Sequence, residues 1–215
     1  MKTIKFIVMA TFFVVSTSAM AQFTNTKPTG SSSIANTDGW NSFWVEWNPS
    51  VLSPKHGDSE SFTAFSLGVS KAFGITSSAP VFLEPGFGAQ YSFASDFMDI
   101  DDISFNMLSV KVPLSLIYKF DIPNSSIVLM PNASLDFRFN ILAKMSDDDD
   151  SISLFDKDDM GSGNTWNRFQ IGWHIGLKAC IGEGFLIGAS YGTDFSEIAD
   201  KLHVNTTTVS LGLTF

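Results

Sequence analysis

Two of the three histidines have an acid nearby in sequence, and one of these two also has a hydroxyl; histidine, hydroxyl and acid are the side-chain set of nucleophilic catalysis. The candidates are His56 with Ser53 and Glu60, and His203 with Glu197 and Asp200. In such a set the imidazole takes the hydroxyl proton and the acid orients the imidazole. These residue types are common in any polar loop, and the chain has no G-x-S-x-G element. We therefore predict no catalytic residue and keep an enzyme as an alternative.

An aspartate-rich segment could supply oxygen ligands to a divalent cation. It contains Asp147, Asp148, Asp149, Asp150, Asp156, Asp158 and Asp159, followed by Gly161 and Ser162. A calcium loop needs carboxylates at fixed spacing, a glycine turn and a distal bidentate acid, and this segment lacks that register. The lone Cys180 has no second ligand beside it and is expected to pack as a small side chain. We predict no metal site, no cofactor, and a solvated, mobile acidic loop.

The segments that must position these groups alternate with a period of two. In the last of them, residues 204–215, the small or polar face is Thr206, Thr208, Ser210, Gly212 and Thr214, and the apolar face is Val209, Leu211, Leu213 and Phe215. A strand that spans a bilayer in a barrel shows one apolar face to lipid and one small or polar face to the interior. Phe215 in this alternation resembles the insertion signal of bacterial outer-membrane barrels.

The same alternation recurs in seven earlier segments. The eight predicted strands cover residues 40–48, 61–73, 80–93, 104–120, 127–141, 165–181, 184–195 and 204–215. Eight is an even number and the smallest common size for single-chain outer-membrane barrels. The predicted fold class is all-β: an eight-stranded antiparallel up-and-down transmembrane β-barrel.

Charged side chains within these strands keep to the face predicted to line the interior. They are Glu46, Glu84, Lys111, Asp136, Arg138, Arg168, His174 and Lys178. Eight-stranded barrels are about wide enough for side chains to fill, so we predict a buried network of salt bridges and hydrogen bonds. A transport pathway is the alternative. Glycines on the same face, such as Gly68 and Gly88, are expected to make room for bulky neighbours.

The connections between predicted strands alternate between short and long. The short ones are residues 74–79, 121–126 and 182–183, and the long ones are residues 49–60, 94–103, 142–164 and 196–203. Outer-membrane barrels have short periplasmic turns and longer outer loops, so the long connections are assigned to the cell exterior. Most of the 22 acids lie in those loops, including Asp58, Asp96, Asp99, Asp101 and Asp102.

The first part of the chain has the pattern of an export signal. Lys2 and Lys5 precede an apolar run and then Ala19-Met20-Ala21, so residues 1–21 are predicted to be a cleaved signal peptide. Residues 22–39 are predicted to be a flexible lead-in, and residues 40–215 the barrel. The five tryptophans, Trp40, Trp44, Trp47, Trp166 and Trp173, are expected to serve aromatic girdles at the membrane interfaces.

Four segments of the chain have the motifs of a known family. They are Ser109 to Phe120, Gly172 to Gly182, Gly188 to Ile198 and the tail from Asn205 to Phe215. In that order they resemble the "PLxxKY" strand, the glycine-rich sixth strand, the "YxxGLxxI" strand and the "NxxxxLxLGYxF" ending of the PorT-like outer-membrane β-barrel proteins of Bacteroidota. The chain departs from the family in Thr193-Asp194, where Gly-Leu is common. The resemblance implies an integral outer-membrane barrel, with founding members linked to protein secretion.

These patterns predict a monomeric, non-enzymatic barrel in the outer membrane of a Gram-negative bacterium. Its role would be structural, surface-interacting or secretion-accessory, with outer-membrane lipid and other envelope or secreted proteins as partners. The formal net charge of −9 argues against nucleic acid. A narrow channel for ions or small solutes and an outer-leaflet lipid-modifying enzyme are the alternatives. A soluble lipocalin-like barrel is the architectural rival, and it would turn its apolar face inward.

Overall fold

The computed structural model describes residues 38–54, 59–95, 97, 103–147, 150–160 and 165–215, and almost all of them are in strands or their connections. The strands are β1 (Asn41–Pro54), β2 (Glu60–Lys71), β3 (Phe73–Gly74), β4 (Val81–Ala94), β5 (Ser104–Tyr118), β6 (Phe120–Asp121), β7 (Ile127–Ser146), β8 (Ser151–Ser153), β9 (Phe169–Ile181), β10 (Phe185–Asp194) and β11 (Leu202–Thr214). A short helix, α1, covers Lys157–Met160. No helix among the described residues is long and apolar enough to cross a membrane.

Eight long strands close into an antiparallel barrel. Each of β1, β2, β4, β5, β7, β9, β10 and β11 pairs with the next in that order, and β11 pairs back onto β1. In the closing pair, Val45 lies across from Leu211 and Trp47 from Val209. Full closure leaves no long unpaired strand edge, which a sheet in lipid could not tolerate. The predicted eight-stranded up-and-down architecture is confirmed.

Several predicted features lie outside the described residues. They are the signal peptide (residues 1–21), most of the lead-in (residues 22–37), His56, Asp58, Asp96, Asp99, Asp101, Asp102, Asp148, Asp149, Gly161 and Ser162.

Two strands extend beyond their predicted ends. Strand β1 continues through Pro49 to Pro54, and its inward positions Ser50 and Leu52 stay buried. Strand β7 continues to Ser146, because β8 pairs with its last three residues. The predictions that loops begin at Pro49 and Leu142 are therefore wrong. The inward–outward alternation of side chains continues past the points where proline and polar residues suggested a break.

Three other strands are shorter than predicted. The strand expected over residues 165–181 begins only at Phe169. The strands expected over residues 61–73 and 104–120 break at Ala72 and Lys119, and the short strands β3 and β6 follow the breaks. The Ala72 N–H donates to Trp40 O at 2.8 Å, and the Lys119 N–H donates to Pro80 O at 2.8 Å. These bonds take the two residues out of the strand ladder while leaving their backbone groups satisfied.

The apolar parity of the strands faces outward and the small or polar parity faces the lumen. Large side chains exposed on the outer wall include Phe43, Val45, Trp47, Phe65, Leu67, Val69, Phe87, Tyr91, Leu116, Phe139, Ile175, Leu177, Leu211 and Leu213. We call this wall the apolar belt. A barrel that carries ligands in water has the reverse arrangement, so the lipocalin-like alternative is excluded.

The lumen is filled in three layers. At the end with short turns lies a lower cluster of apolar side chains: Ala72, Phe82, Ile117, Met130 and Leu186. At the end with long loops lies an upper cluster: Leu52, Phe62, Phe97, Phe105, Met107, Ala143, Leu154, Trp166, Ile198, Ala199 and Val204. Polar and charged side chains fill the space between and form the lumen network. The fold thus positions one buried polar layer between two apolar layers.

Candidate functional site

The lumen network is centred on Lys111, which projects inward from β5. Its Nζ lies 2.8 Å from Glu46 Oε2 and 3.2 Å from Asp136 Oδ2, so one cation serves two carboxylates from opposite parts of the wall. His174 Nε2 lies 3.2 Å from the same Asp136 oxygen. The lysine also lies 5.7 Å from the centre of the Trp44 ring. Because Lys111 is almost fully buried, these partners are required to offset the loss of its hydration.

Two further ion pairs flank this centre. Toward the short-turn end, Lys178 Nζ lies 2.8 Å from Glu84 Oε2, and the other Glu84 oxygen accepts hydrogen bonds from Ser42 and Ser70. Toward the loop end, Arg138 pairs with Asp194. The predicted buried salt-bridge network is confirmed.

Neutral side chains complete the network toward the loop end. Gln170 Nε2 donates to Asp194 at 3.3 Å, and Asn140 Nδ2 donates to Gln170 Oε1 at 3.1 Å. Ser109 Oγ donates to Asn140 Oδ1 at 2.7 Å. Each buried amide is therefore held by its neighbours, as a rigid polar interior requires.

Within the network lies a small cavity of about 60 Å³, lined by Glu46, Glu84, Lys111, Asp136, His174 and Lys178 among others. A polar space of this size is suited to ordered water. The upper cluster lies above the network, where Phe105 stacks on Phe97 at 4.9 Å between ring centres and meets Trp166 at 5.4 Å. The lower cluster lies beneath it. Among the described residues, apolar side chains therefore lie on both sides of the charged layer.

Close packing in the middle of the lumen depends on glycine at two positions. A Cβ at Gly68 would overlap the Trp44 ring, and a Cβ at Gly88 would lie 2.6 Å from it. Trp44 is 8% exposed, so its indole ring lies over these two glycines inside the barrel. The expectation that interior glycines accommodate a bulky neighbour is confirmed here.

The girdle prediction for the tryptophans is only partly correct. Trp47 faces outward and is 47% exposed, and Trp173 also lies on the outer wall. Trp44 and Trp166 are instead buried in the lumen, and Trp40 packs against Phe82 of the lower cluster. Parity explains Trp44 and Trp47, because residues at even and odd positions of one strand face opposite sides. Trp40 and Trp166 lie outside the strands.

Arg168 does not belong to the lumen. It precedes β9, its guanidinium lies 4.1 Å from the centre of the Phe155 ring, and its Nη1 donates to Ile141 O at 3.3 Å. The prediction that it faces the interior is wrong, because β9 begins at Phe169 and the strand parity does not extend to the rim. Asp194, which the interior charge set left out, is instead the partner of Arg138. Its place after Gly188, Ser190 and Gly192 on one parity was the available signal.

The upper cluster was also missed. Phe62 and Phe105 lie on the inward parity of their strands, next to serines and lysine, and Leu154 and Trp166 enter from the longest loop. Large apolar residues on an otherwise polar parity near a strand end were the sequence signal.

Cys180 packs beside the lower cluster, in agreement with its predicted packing role. Among the described residues, no group of three or more histidine, cysteine or acidic side chains could hold a metal ion. In the long loop, Asp147, Asp156 and Asp159 accept hydrogen bonds from backbone N–H groups of Asp150, Asp158 and Ser153.

On the outer wall, His203 lies beside a hydroxyl residue and an acid. It is the cross-strand partner of Ser53, and its Nε2 lies 3.8 Å from Glu197 Oε1. Ser53 Oγ accepts a hydrogen bond from Asn205 Nδ2 at 3.0 Å. This group faces outward at the loop end of the barrel. His174, by contrast, lies in the lumen network.

No protein-family model matches the chain, and no curated protein matches it. Among solved structures, the chain is similar to Ail, the attachment invasion locus protein of Yersinia pestis, with 16% identity, 83% of this chain and 99% of that chain covered, and a TM-score of 0.51. Neisserial surface protein A has 13% identity, coverage of 81% and 97%, and a TM-score of 0.48. The outer membrane enzyme PagL has 13% identity, coverage of 78% and 98%, and a TM-score of 0.44. The likeness to Ail agrees with the eight-stranded fold.

Proposed function

We propose that this chain is an integral outer-membrane barrel of a Gram-negative bacterium that presents its loop end for surface interaction or secretion support, without catalysis. The observation that carries the proposal is the combination of an outer apolar belt with a lumen filled by side chains. A belt of this kind is stable only against hydrocarbon, and a closed barrel is one of two structures whose backbone is fully satisfied there.

The arrangement of the two ends supports an outward-facing interaction surface. The short connections leave little beyond the wall at one end, whereas the long connections carry β8, α1 and the acids Asp147, Asp150, Asp156, Asp158, Asp159, Glu197 and Asp200 at the other. Loops held by a rigid barrel are suited to recognition. The resemblance to PorT-like proteins favours envelope or secreted proteins as partners.

Site-specific photocrosslinking in cells tests this role. A photoreactive amino acid is placed at Phe155 or Asp200 at the loop end, and at Ser125 or Glu183 at the short-turn end as controls. The proposal expects defined crosslinked partners from the loop end, and labelling of that end by a reagent that does not cross the outer membrane. Partners reached only from the short-turn end would contradict it.

A narrow channel is disfavoured because apolar side chains lie above and below the charged layer. Purified protein in planar bilayers is expected to give no steady conductance. Discrete, reproducible conductance steps in wild type that disappear when Lys111 is changed would instead establish the channel.

A second candidate, hydrolysis of an outer-leaflet lipid ester, is favoured by one observation: His203 has Ser53 across the strand pair and Glu197 at 3.8 Å. Catalytic contacts are often long before substrate binds. The test is release of fatty acid from vesicles containing purified lipopolysaccharide, for wild type and Ser53→Ala. Release that Ser53→Ala abolishes would establish the enzyme, and absence of release by wild type would leave the interaction role.

A further inference from the structure

Polar side chains interrupt the apolar belt on two adjacent strands. On the outer face of β11, Val209 is followed toward the loop end by Thr207, Asn205 and His203; on β10, Tyr191 is followed by Thr193. We call Thr193, Asn205 and Thr207 the notch. Its edge toward the loops is formed by Ser53 and His203, which are cross-strand partners.

The strand register places apolar side chains beside the notch. Asn205 pairs with Val51 of β1 on one side and with Thr193 of β10 on the other. Thr193 in turn pairs with Trp173 of β9, and Val51 pairs with the exposed Ser61 of β2. The notch therefore lies at the loop-end edge of the belt, with Val51 and Trp173 as its apolar neighbours.

Two side chains of the notch donate hydrogen bonds inside the wall, and the oxygens of the notch can act as acceptors. Asn205 Nδ2 donates to Ser53 Oγ at 3.0 Å, and Thr193 Oγ1 donates to Val204 O at 3.3 Å. The Asn205 side-chain carbonyl and the hydroxyl oxygens keep lone pairs for donors from outside the protein. Lipid tails offer no hydrogen-bond donors, so contact with hydrocarbon alone would leave the acceptors of the notch unsatisfied.

The notch opens toward the loop end through polar side chains. His203 and Glu197, 3.8 Å apart, are 43% and 45% exposed at that edge. Polar side chains therefore extend without interruption from the loop-end rim to the notch. In an outer membrane, the material next to that rim is the headgroup layer.

We propose that the notch binds the hydroxyl-rich headgroup of an outer-leaflet glycolipid, and this inference rests on the proposed outer-membrane function. Sugar hydroxyls donate to the Asn205 and threonine oxygens, and the lipid's acyl chains pack on the flanking Trp173 and Val51. No lysine or arginine belongs to the notch, and Glu197 borders it, so sugar hydroxyls fit better than phosphate. The notch is only two strands wide, and the area that it could bury is too small for a stable contact with a second copy of the chain.

The test uses the full-length protein in nanodiscs of phosphatidylcholine that contain purified lipopolysaccharide. Native mass spectrometry measures the glycolipid retained after lipid exchange. The variant Asn205→Leu/Thr207→Val removes the polar groups of the notch, and Thr207→Val alone is a milder second variant. The matched control is Asn106→Leu, since Asn106 lies on the outer face of β5 and accepts a hydrogen bond from Tyr91 at 2.5 Å.

Retention should fall by roughly tenfold in the double variant, since two net hydrogen bonds are lost, and by less in Thr207→Val. The Asn106→Leu control should retain glycolipid like wild type. Equal retention in wild type, notch variants and control overturns the inference, as does an equal loss in notch variants and control.

A second copy in the notch would also overturn it. The readout is disulfide-linked dimer formed by Thr207→Cys in a Cys180→Ser background, in vesicles that lack glycolipid. Heat-modifiable mobility of every variant shows that the barrel is intact. Absence of wild type from the outer-membrane fraction is a separate result, which contradicts the proposed location rather than the notch alone.

Discussion

Lys111 is a cation that two carboxylates of the lumen network share. It contacts Glu46 and Asp136 at 2.8 and 3.2 Å, and Asp136 also contacts His174. In a buried site, removal of the shared cation leaves two negative charges close together without hydration. Neutralising Lys111, Glu46 and Asp136 together would instead leave a polar space without a net charge. Lys111 is therefore the residue whose loss should be felt most.

Lys111→Met should lower the free energy of unfolding by about 3–5 kcal/mol, because Glu46 and Asp136 stay buried without their cation. The measurement is urea unfolding in lipid vesicles, followed by tryptophan fluorescence. Adding Glu46→Gln and Asp136→Asn to the same chain should recover part of the loss.

The matched control is Lys201→Gln, since the Lys201–Asp200 pair is 63% and 64% exposed. Its effect should stay within about 0.5 kcal/mol, as for other surface pairs. Equal effects of the Lys111 and Lys201 variants would mean that the lumen is hydrated rather than packed.

Strand parity was enough to predict most of this network from the sequence. Glu46, Lys111 and Asp136 are far apart in the chain, yet each occupies the inward parity of a strand with clear alternation. A lysine or arginine on the lipid face costs about 2–4 kcal/mol at mid-depth, which explains why charges keep to that parity. The individual ion pairs could not be predicted, because pairing across the lumen depends on the stagger of all eight strands.

Parity failed at the rim. Arg168 lies one residue before β9, where the chain is no longer held by two neighbouring strands, and its side chain turns to Phe155 instead. Rules of alternation apply only where the backbone is paired on both sides.

At the scale of the elements, the upper cluster links strand ends to loops. Phe105 of β5 is fully buried and contacts rings from β2 and from two connections: Phe62, Phe97 and Trp166. It thereby joins parts of the chain that have no strand pairing with each other. The cluster is expected to order the loops as well as to close the lumen.

Phe105→Ala should destabilise the protein by about 3–5 kcal/mol, since the surrounding rings cannot refill the space. The control Phe139→Ala removes a ring of the same size from the outer wall, where 49% of it is exposed and lipid can replace it. Urea unfolding in the same vesicles measures both. A loss for Phe139→Ala as large as that for Phe105→Ala would contradict a packed upper cluster.

The closing pair of strands provides a direct test of the register. In a Cys180→Ser background, Val45→Cys and Leu211→Cys should form a disulfide on mild oxidation, because these positions are directly opposed on the outer face. Gel mobility without reductant reports the bond.

The control pair, Val45→Cys with Leu213→Cys, is out of register by two residues and should link much more slowly. Comparable rates for the two pairs would show a different register between β1 and β11.

Element boundaries were harder to predict than element number. Pro49 suggested the end of a strand, yet β1 tolerates it and continues to Pro54, since the alternation of Ser50 and Leu52 keeps the inward side filled. Leu154 and Trp166 lie in the loop after β7, where no periodic pattern marks a buried position. Their burial depends on the shape of the barrel mouth, which a local pattern does not encode.

At the scale of the molecule, closure, belt and filled lumen are one solution to a single constraint. Eight strands leave an interior that side chains can fill, and the polar parity fills it while the apolar parity faces outward. That constraint explains why the chain shares its architecture with Ail at only 16% identity. The same constraint explains why the sequence predicted the fold well and the activity poorly. The loop residues that would select a binding partner are not subject to the constraint.

The most direct test of the whole account is the location and heat-modifiability of the native chain. Cells expressing it are fractionated, and the outer-membrane fraction is run on gels with and without boiling. We expect the protein in that fraction, with faster migration before boiling than after, because a closed barrel stays compact in detergent. Recovery as a soluble protein with the same mobility in both lanes would contradict the outward apolar belt and the account built on it.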